Sequence, residues 1–295
     1  MNQIPNCPVC KNKTFNPFLT CKDYTVSNEN FTIVNCTTCN FKFTNPTPNF
    51  DVLGNYYKSE DYISHSNTSK GLISKLYKTV RNYTLKNKLK LVQKYVSRGT
   101  LLDYGCGTGM FLNVCKQNGW KVCGMEPDAG ANKIATEMGL NVFSDKNRVN
   151  TYTNHSKFNV ITLWHVLEHV TDLEETLTFF KENLDKNGVL IIALPNYKSF
   201  DANYYKEYWA AYDVPRHLYH FDLNSIQSLL KPFGFLLEES LPMKFDSFYV
   251  SMLSEKYKTG KINYFKAFLT GLKSNLKARS ANDYSSVIYV FKNTK

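Results

Sequence analysis

The spacing of apolar positions changes along the chain, and the changes divide it. Between residues 100 and 194, short apolar runs alternate with stretches in which apolar residues recur every third or fourth position. Residues 101–104, 121–126, 141–143, 158–163 and 189–194 read as strands, and 110–117, 129–138 and 173–184 as amphipathic helices. Repeated strand–helix–strand units predict a parallel sheet covered by helices on both faces, an α/β fold. Upstream, residues 70–96 carry two apolar stripes, one of Leu72, Leu76, Val80 and Tyr83 and one of Leu85, Leu89, Val92 and Val96, so a long helix is expected there. Near the start, 31–34 reads as a strand and 41–43 leads out of the same module. Asn45-Pro46-Thr47-Pro48 closes the module, because two prolines cannot continue a ladder. The expected division is a module at 1–50, a helical connector at 51–98 and an α/β domain at 99–295, with 241–284 inserted before the last strand.

Composition narrows the class. At 43% hydrophobic and 21% charged over 295 residues, the chain is neither disordered, collagen-like nor a disulfide mini-protein. The longest apolar run, 189–194, is too short to cross a bilayer. The first residues lack the apolar stretch of a signal peptide, so a cytoplasmic location is expected. The net charge of +11 is clustered: no acid lies between Asp61 and Asp103, or between Glu255 and Asp283. The basic stretches 62–102 and 256–282 read either as solvated helix faces or as an electropositive surface for a phosphorylated, nucleic-acid or peripheral membrane partner.

Five of the eight cysteines fall in the first 39 residues, and four of those five form two C-x-x-C pairs, Cys7/Cys10 and Cys36/Cys39. Two such knuckles supply four thiolates at a tetrahedron, the closed geometry of a structural zinc ion. A zinc ribbon is therefore expected. Cys21 has no partner at knuckle spacing and reads as core, as do Cys106, Cys115 and Cys123.

The strand at 101–104 runs into Gly105-Cys106-Gly107-Thr108-Gly109, which opens a helix, and Glu126 ends the next strand. Gly105 and Gly107 let the backbone turn sharply and approach a ligand. Glu126 is placed to accept bonds from both hydroxyls of a ribose. The nicotinamide fingerprint G-x-G-x-x-G does not fit, because the third glycine comes one position early, and no G-x-x-x-x-G-K-[ST] phosphate loop exists.

With Asp103 in front, this spacing resembles motif I of the class I S-adenosylmethionine (SAM)-dependent methyltransferases. Residues 124–128, Gly-Met-Glu-Pro-Asp, resemble the family's second motif, and 163–170 its segment after strand 4. Residues 184–190 resemble the turn before strand 5, with Asn187 where a second glycine is common. Phe233-Gly234-Phe235 resembles the entry to strand 6, and 287–291 the terminal antiparallel strand. The resemblance implies a seven-stranded Rossmann-like sheet with SAM as cofactor. It assigns Asp103, Gly105, Gly107 and Glu126 to SAM, with Asp128 and Trp164 as further candidates. With the cysteine knuckles, the chain resembles the zinc-ribbon-bearing subgroup, some of whose members methylate deoxysugar nucleotides. The expected acceptor is a small molecule: a sugar nucleotide, or a lipid-linked or secondary-metabolite intermediate.

His165, Glu168 and His169 stand at i, i+3 and i+4, and would share one face of a helical turn. The ubiquinone O-methyltransferases and the small-RNA 2′-O-methyltransferases have a similar segment, Glu-x-x-Glu-His, that binds a divalent metal. Here His165 stands where those enzymes have the first Glu, which suits a softer ion than magnesium. The candidate catalytic set is His165, Glu168, His169 and His217, with His220 in reserve. It works either as a divalent-metal site at His165/Glu168/His169 or as a metal-free base, His169 or His217 oriented by Glu168. The long segment after residue 194 reads as an aromatic-rich loop over the acceptor. Two rivals remain: an RNA methyltransferase with a zinc-finger binding module, and a zinc peptidase through His165-x-x-Glu168-His169, an H-x-x-E-H pattern.

Overall fold

The computed structural model describes residues 1–58 and 72–294. The first two residues of the helix expected at 70–96, and part of the basic stretch 62–102, lie outside the described residues. Among the described residues, strands β1 (Phe15–Lys22), β2 (Asn30–Cys36) and β3 (Lys42–Thr44) precede helix α1 (Leu72–Tyr95). Then follow β4 (Thr100–Tyr104), α2 (Met110–Gln117), β5 (Lys121–Met125), α3 (Ala129–Glu137), β6 (Val142–Phe143), α4 (Lys146–Thr153) and β7 (Phe158–Trp164). After these come α5 (Leu173–Asn183), β8 (Leu184–Pro195), α6 (Phe200–Tyr205), β9 (Tyr219–His220) and α7 (Leu223–Leu230). The chain closes with β10 (Phe235–Pro242), α8 (Asp246–Thr259), α9 (Tyr264–Ala281) and β11 (Ser286–Asn293).

The main sheet has seven strands in the order β10-β11-β8-β7-β4-β5-β6. Its inner pairs β8–β7, β7–β4, β4–β5 and β5–β6 are parallel, and β11 lies antiparallel to both β8 and β10. This is the α/β sheet expected from the alternating pattern. The strands nearest its centre are fully buried at Leu101, Leu102, Val160, Ile161, Ile191 and Ile192, as a two-sided parallel sheet requires. Leu85, Leu89 and Val92 of α1 are buried in one core cluster with Phe111 and Cys115 of α2, whereas Tyr83 is exposed.

Two regions differ from the sequence reading. Residues 196–222 are not a loop. They form α6, two short 3₁₀ turns and β9, with Tyr205, Trp209 and Tyr212 buried. Ser199 caps α6 by accepting the Ala202 N–H, and each piece is too short for a period to show. Second, β9 joins the N-terminal strands in a four-stranded sheet, β1-β2-β3-β9, pairing Lys42 with His220 and Phe43 with Tyr219. The cysteine-bearing module thus shares a sheet and a core with the segment after strand β8. The insertion expected at 241–284 begins only after Pro242, the last residue of β10, and forms a helical hairpin, α8 and α9, before β11.

Candidate active site

The glycine loop leaves the carboxyl end of β4. Gly105, Gly107 and Gly109 all have positive φ, at 73°, 53° and 76°, a region side chains avoid. A Cβ at Gly105 would lie 2.5 Å from Val166 Cγ2, and one at Gly109 2.5 Å from Leu140 Cδ1. At Gly107 it would meet open space, so packing fixes the outer glycines and the middle one keeps the approach to the loop clear. The Gly107 N–H donates to Glu126 Oε2 at 2.8 Å, and the Asp128 N–H to Oε1 at 2.9 Å. These bonds hold the carboxylate beside the loop while leaving lone pairs for further donors. Burial pushes the Glu126 pKa up, and the two N–H bonds oppose it. Asp128 is the N-cap of α3, accepting the Ala131 N–H at 2.7 Å. A cleft of about 620 Å³ opens beside Glu126, bounded by Pro127, Asn132, Phe143, Ser144 and Arg148.

Asp103 is buried and accepts the Thr162 hydroxyl at 2.6 Å. Burial pushes its carboxyl up to about 7, against the pull of Thr162 and Lys88. Sequence reasoning missed Lys88, which lies in a lysine-rich helix where no spacing marks it. Burial draws its ammonium down to about 8, while Asp103 and Asp246 favour the charged form. Its Nζ sits 4.1 Å from the Trp164 ring centroid, within cation–π range. The buried Trp164 indole N–H has no hydrogen-bond partner among the described residues.

The second half of the site follows β7. Only residues 167–169 form a helical turn, and it is 3₁₀. His165 precedes it with φ +59°, so the shared face expected of His165, Glu168 and His169 does not form as a helix. His165 Nε2 lies 3.1 Å from Asp246 Oδ2 and its Nδ1 3.4 Å from Glu168 Oε1. Burial disfavours the imidazolium, but these two carboxylates raise the His165 pKa to about 9. The donor group that does converge is Glu168, His169 and His217, with ligand atoms within 4.8 Å of one another. His217 therefore takes the place expected of His165. This also separates the two histidines that an H-x-x-E-H peptidase would put on one ion.

Glu168 is 1% exposed, and neither carboxylate oxygen has a hydrogen-bond partner among the described residues. Burial raises its pKa, but His165, His217 and His169 together hold it below the ordinary value. His169 Nδ1 lies 3.1 Å from the Arg216 carbonyl and 3.1 Å from the Tyr57 hydroxyl. A carbonyl only accepts, so Nδ1 carries the proton and Nε2 keeps its lone pair. Burial and His217 bring His169 down to about 4. His217 Nδ1 likewise donates to the Ala211 carbonyl at 2.9 Å, leaving its Nε2 as an acceptor. The two rings meet edge to face at 4.5 Å. A carboxylate with unspent lone pairs and two imidazoles locked by outer hydrogen bonds fit a borderline divalent ion, and equally a proton acceptor. His220 instead faces Thr44 Oγ1 at 3.2 Å, within the N-terminal sheet.

Arg216 ties these parts together. Its buried guanidinium meets Asp213 at 2.6 Å, Asp23 at 3.0 Å and the Tyr56 carbonyl at 2.9 Å. At the far end of that module the sulfurs of Cys7, Cys10, Cys36 and Cys39 also lie within 4.8 Å of one another. Two of the distances, Cys7–Cys39 and Cys10–Cys36, are 3.5 Å. Burial pushes Cys7 up and Cys39 to about 11. Burial also opposes the Cys36 thiolate, yet the Cys39 and Thr38 N–H groups bring that thiol down to about 6. Four sulfurs so close suit a tetrahedral zinc ion.

A family model described as a methyltransferase domain matches residues 77–240, and the chain belongs to this family of class I SAM-dependent methyltransferases. Similar curated proteins include a ubiquinone biosynthesis O-methyltransferase of Haemophilus ducreyi, 33% identical over 106 residues, covering 32% of this chain and 45% of that protein. Another, of Rickettsia bellii, is 26% identical over 144 residues, covering 45% of this chain and 59% of that protein. The chain thus spans about half the length of the curated relatives it matches. Among solved structures, the magnesium protoporphyrin IX methyltransferase of Synechocystis with bound SAH aligns at a TM-score of 0.52 and 14% identity, over 82% of this chain and 99% of that one. Phosphoethanolamine N-methyltransferase 2 of Haemonchus contortus, in complex with SAM, aligns at 0.52 and 14%, over 86% and 62%. At that identity the likeness is one of fold. Among the described residues, no helix is long and apolar enough to cross a membrane.

Proposed function

We propose that the protein transfers the methyl group of SAM to a hydroxyl of a small molecule, a sugar nucleotide or a lipid-linked or secondary-metabolite intermediate. The observation that carries this reading is the Glu168 carboxylate just past β7, buried amid His165, His169 and His217 with no hydrogen-bond partner among the described residues. In this reading Glu126 holds the ribose, Asp103 the ammonium and Lys88 the carboxylate of the methionine end, and Gly105 and Gly107 admit the cofactor closely. Trp164 lines the sulfonium side, and Asp128 orders the loop as a cap. The sulfonium is already activated, so alignment of oxygen, methyl and sulfur carries much of the catalysis. A hydroxyl must also lose its proton, and the Nε2 of His169 or His217 beside Glu168 can take it. A divalent ion on Glu168, His169 and His217 would instead acidify that hydroxyl as a Lewis acid. The cysteine cluster would hold structural zinc, and we assign the protein to the cytoplasm. The working division remains 1–50, 51–98 and 99–295.

Turnover with and without a chelator tests the chemistry, using SAM and a panel of hydroxylated acceptors. Chelator-sensitive turnover restored by a divalent ion supports the metal form. Resistant turnover that collapses in His169→Ala and His217→Ala, with SAM affinity kept, supports the base. Full activity in both variants removes the cluster from the reaction.

A further inference from the structure

Helix α9 is turned inside out. Its buried residues are Ala267, Thr270, Gly271, Ser274 and Ala278, all small. Its large apolar residues, Phe265, Phe268, Leu269, Leu272 and Leu276, are 39 to 74% exposed. At helical spacing these five fall within an arc of about 100°. The small residues explain how α9 is held largely without them. A Cβ at Gly271 would lie 2.8 Å from Phe248 Cδ1 and 3.0 Å from the Phe248 backbone, and Ser247 Oγ donates to the Gly271 carbonyl at 3.1 Å. The hairpin is therefore closed chiefly by near backbone contact, with Phe268 of the stripe also packing on Phe248 of α8.

The apolar surface extends beyond α9. Phe248 stacks on Phe268 with centroids 5.5 Å apart. Phe245 and Tyr249 at the start of α8 are exposed, and Tyr83 of α1, also exposed, meets Phe245 edge-on at 5.9 Å. A continuous exposed apolar patch of this kind marks a contact surface.

Charge identifies what the surface contacts. No acid lies from residue 256 to 282. Lys273 and Lys277 follow one flank of the stripe, about 80–120° from Phe265. Lys258 and Lys261 stand at its near end and Arg279 at its far end. Lys273 and Lys277 reach across the Phe200 ring at 5.1 and 4.7 Å, and Lys258 across Tyr204 at 5.4 Å. Lys266, by contrast, pairs with Glu255 at 3.3 Å. An apolar stripe flanked by lysines, on a segment that carries no acid from 256 to 282, is complementary to a bilayer interface with anionic headgroups. It is poorly complementary to a second copy of itself, because a two-fold contact would bring the basic ends of the stripe toward one another.

We infer that the α8–α9 hairpin docks the protein on an anionic lipid surface. The Phe265–Leu276 stripe enters the acyl boundary, and the flanking lysines meet lipid phosphates. The hairpin begins at Asp246, which contacts His165, so the docked face adjoins the side of the site we assign to the acceptor. That last point rests on the proposed function; the docking itself does not.

The test is flotation of the full chain with vesicles of phosphatidylcholine alone, and of equal parts phosphatidylcholine and phosphatidylglycerol. The wild type should float with the mixed vesicles, more weakly as salt rises, and should not float with the neutral ones. Phe265→Ser/Phe268→Ser and Lys273→Glu/Lys277→Glu should each lower partitioning by about tenfold or more, with SAM affinity unchanged. These readouts need no turnover, so a wrong acceptor assignment leaves them standing. Equal flotation of wild type and variants would overturn the inference. So would an absence of vesicle binding, whether or not the wild type forms a dimer that Phe265→Ser/Phe268→Ser abolishes.

Discussion

The side of the site we assign to the cofactor and the side we assign to the acceptor are built differently. The cofactor side comes chiefly from residues 103–128, and its key contacts run through the backbone: three glycines at positive φ, and two N–H groups on Glu126. The acceptor side is assembled from side chains of separate segments. Glu168 and His169 follow β7, His217 precedes β9, Tyr57 and Arg216 hold His169 from behind, and Asp246 reaches His165 from the hairpin. A backbone device is specified by local sequence and tolerates change elsewhere. A side-chain assembly depends on every segment that presents it, and the two sides should therefore fail differently.

The largest contrast should come from the cysteines. Cys36→Ser is expected to lose bound zinc and to unfold the N-terminal sheet, since structural zinc in small modules is worth on the order of 10 kcal/mol. Because β3 pairs with β9, and Arg216 bridges to Asp23, methyl transfer should fall with it while SAM affinity stays near normal. Metal analysis, turnover and calorimetry on one preparation check this. Unchanged zinc content would refute the cysteine assignment, and parallel loss of SAM binding would refute the separation of the two sides.

Next in size is the acceptor cluster itself. Glu168→Gln keeps the shape and removes the charge that three histidines face. Turnover should drop by about 10²–10⁴-fold, the range of a lost acid–base group, with SAM affinity within about twofold. On the cofactor side, Glu126→Ala should weaken SAM by about 1–3 kcal/mol, the value of charge-assisted hydrogen bonds. Calorimetry giving equal affinity for wild type and variant would remove Glu126 from the ribose.

This difference in construction also decides what could be read in advance. The glycine loop, Glu126 and the parallel sheet were legible because their requirements are local: a period, a glycine, an acid at a strand end. The cysteine pairs were legible for the same reason. Spacing along a helix suggests His165 with Glu168 and His169; His165 does lie 3.4 Å from Glu168, but the chain turns left-handed there and its other ring nitrogen meets Asp246, 81 residues away. Lys88 is one lysine among many until α1 lays it over Trp164. The aromatic segment at 196–222 looked like a loop because its helices are only a turn or two long, and because its short strand is completed by residues from the other end of the sequence.

The smallest expected effect probes the charge at the junction of the two sides. His165 is held between Asp246 and Glu168, and its pKa is raised from 6.5 to about 9 although burial opposes this. The folded state therefore binds that proton more tightly than the unfolded chain. The resulting stabilisation is complete below pH 6.5 and is lost as pH rises through about 9. His165→Asn is the appropriate variant, because asparagine tolerates the φ of +59° that this position requires. With the side chain a third exposed, the gain should stay under about 1 kcal/mol. Asp103 loses its stabilising proton at lower pH, from its ordinary range up to about 7, and Lys88 becomes less costly to bury above about 8. A difference measurement removes both, since neither residue is changed. The wild-type minus variant melting temperature should therefore be positive at pH 6 and decline steadily to pH 9.5. A difference independent of pH would mean that His165 is neutral and that Asp246 does not bind it through charge. The acceptor side would then be held, like the cofactor side, by contacts that do not titrate.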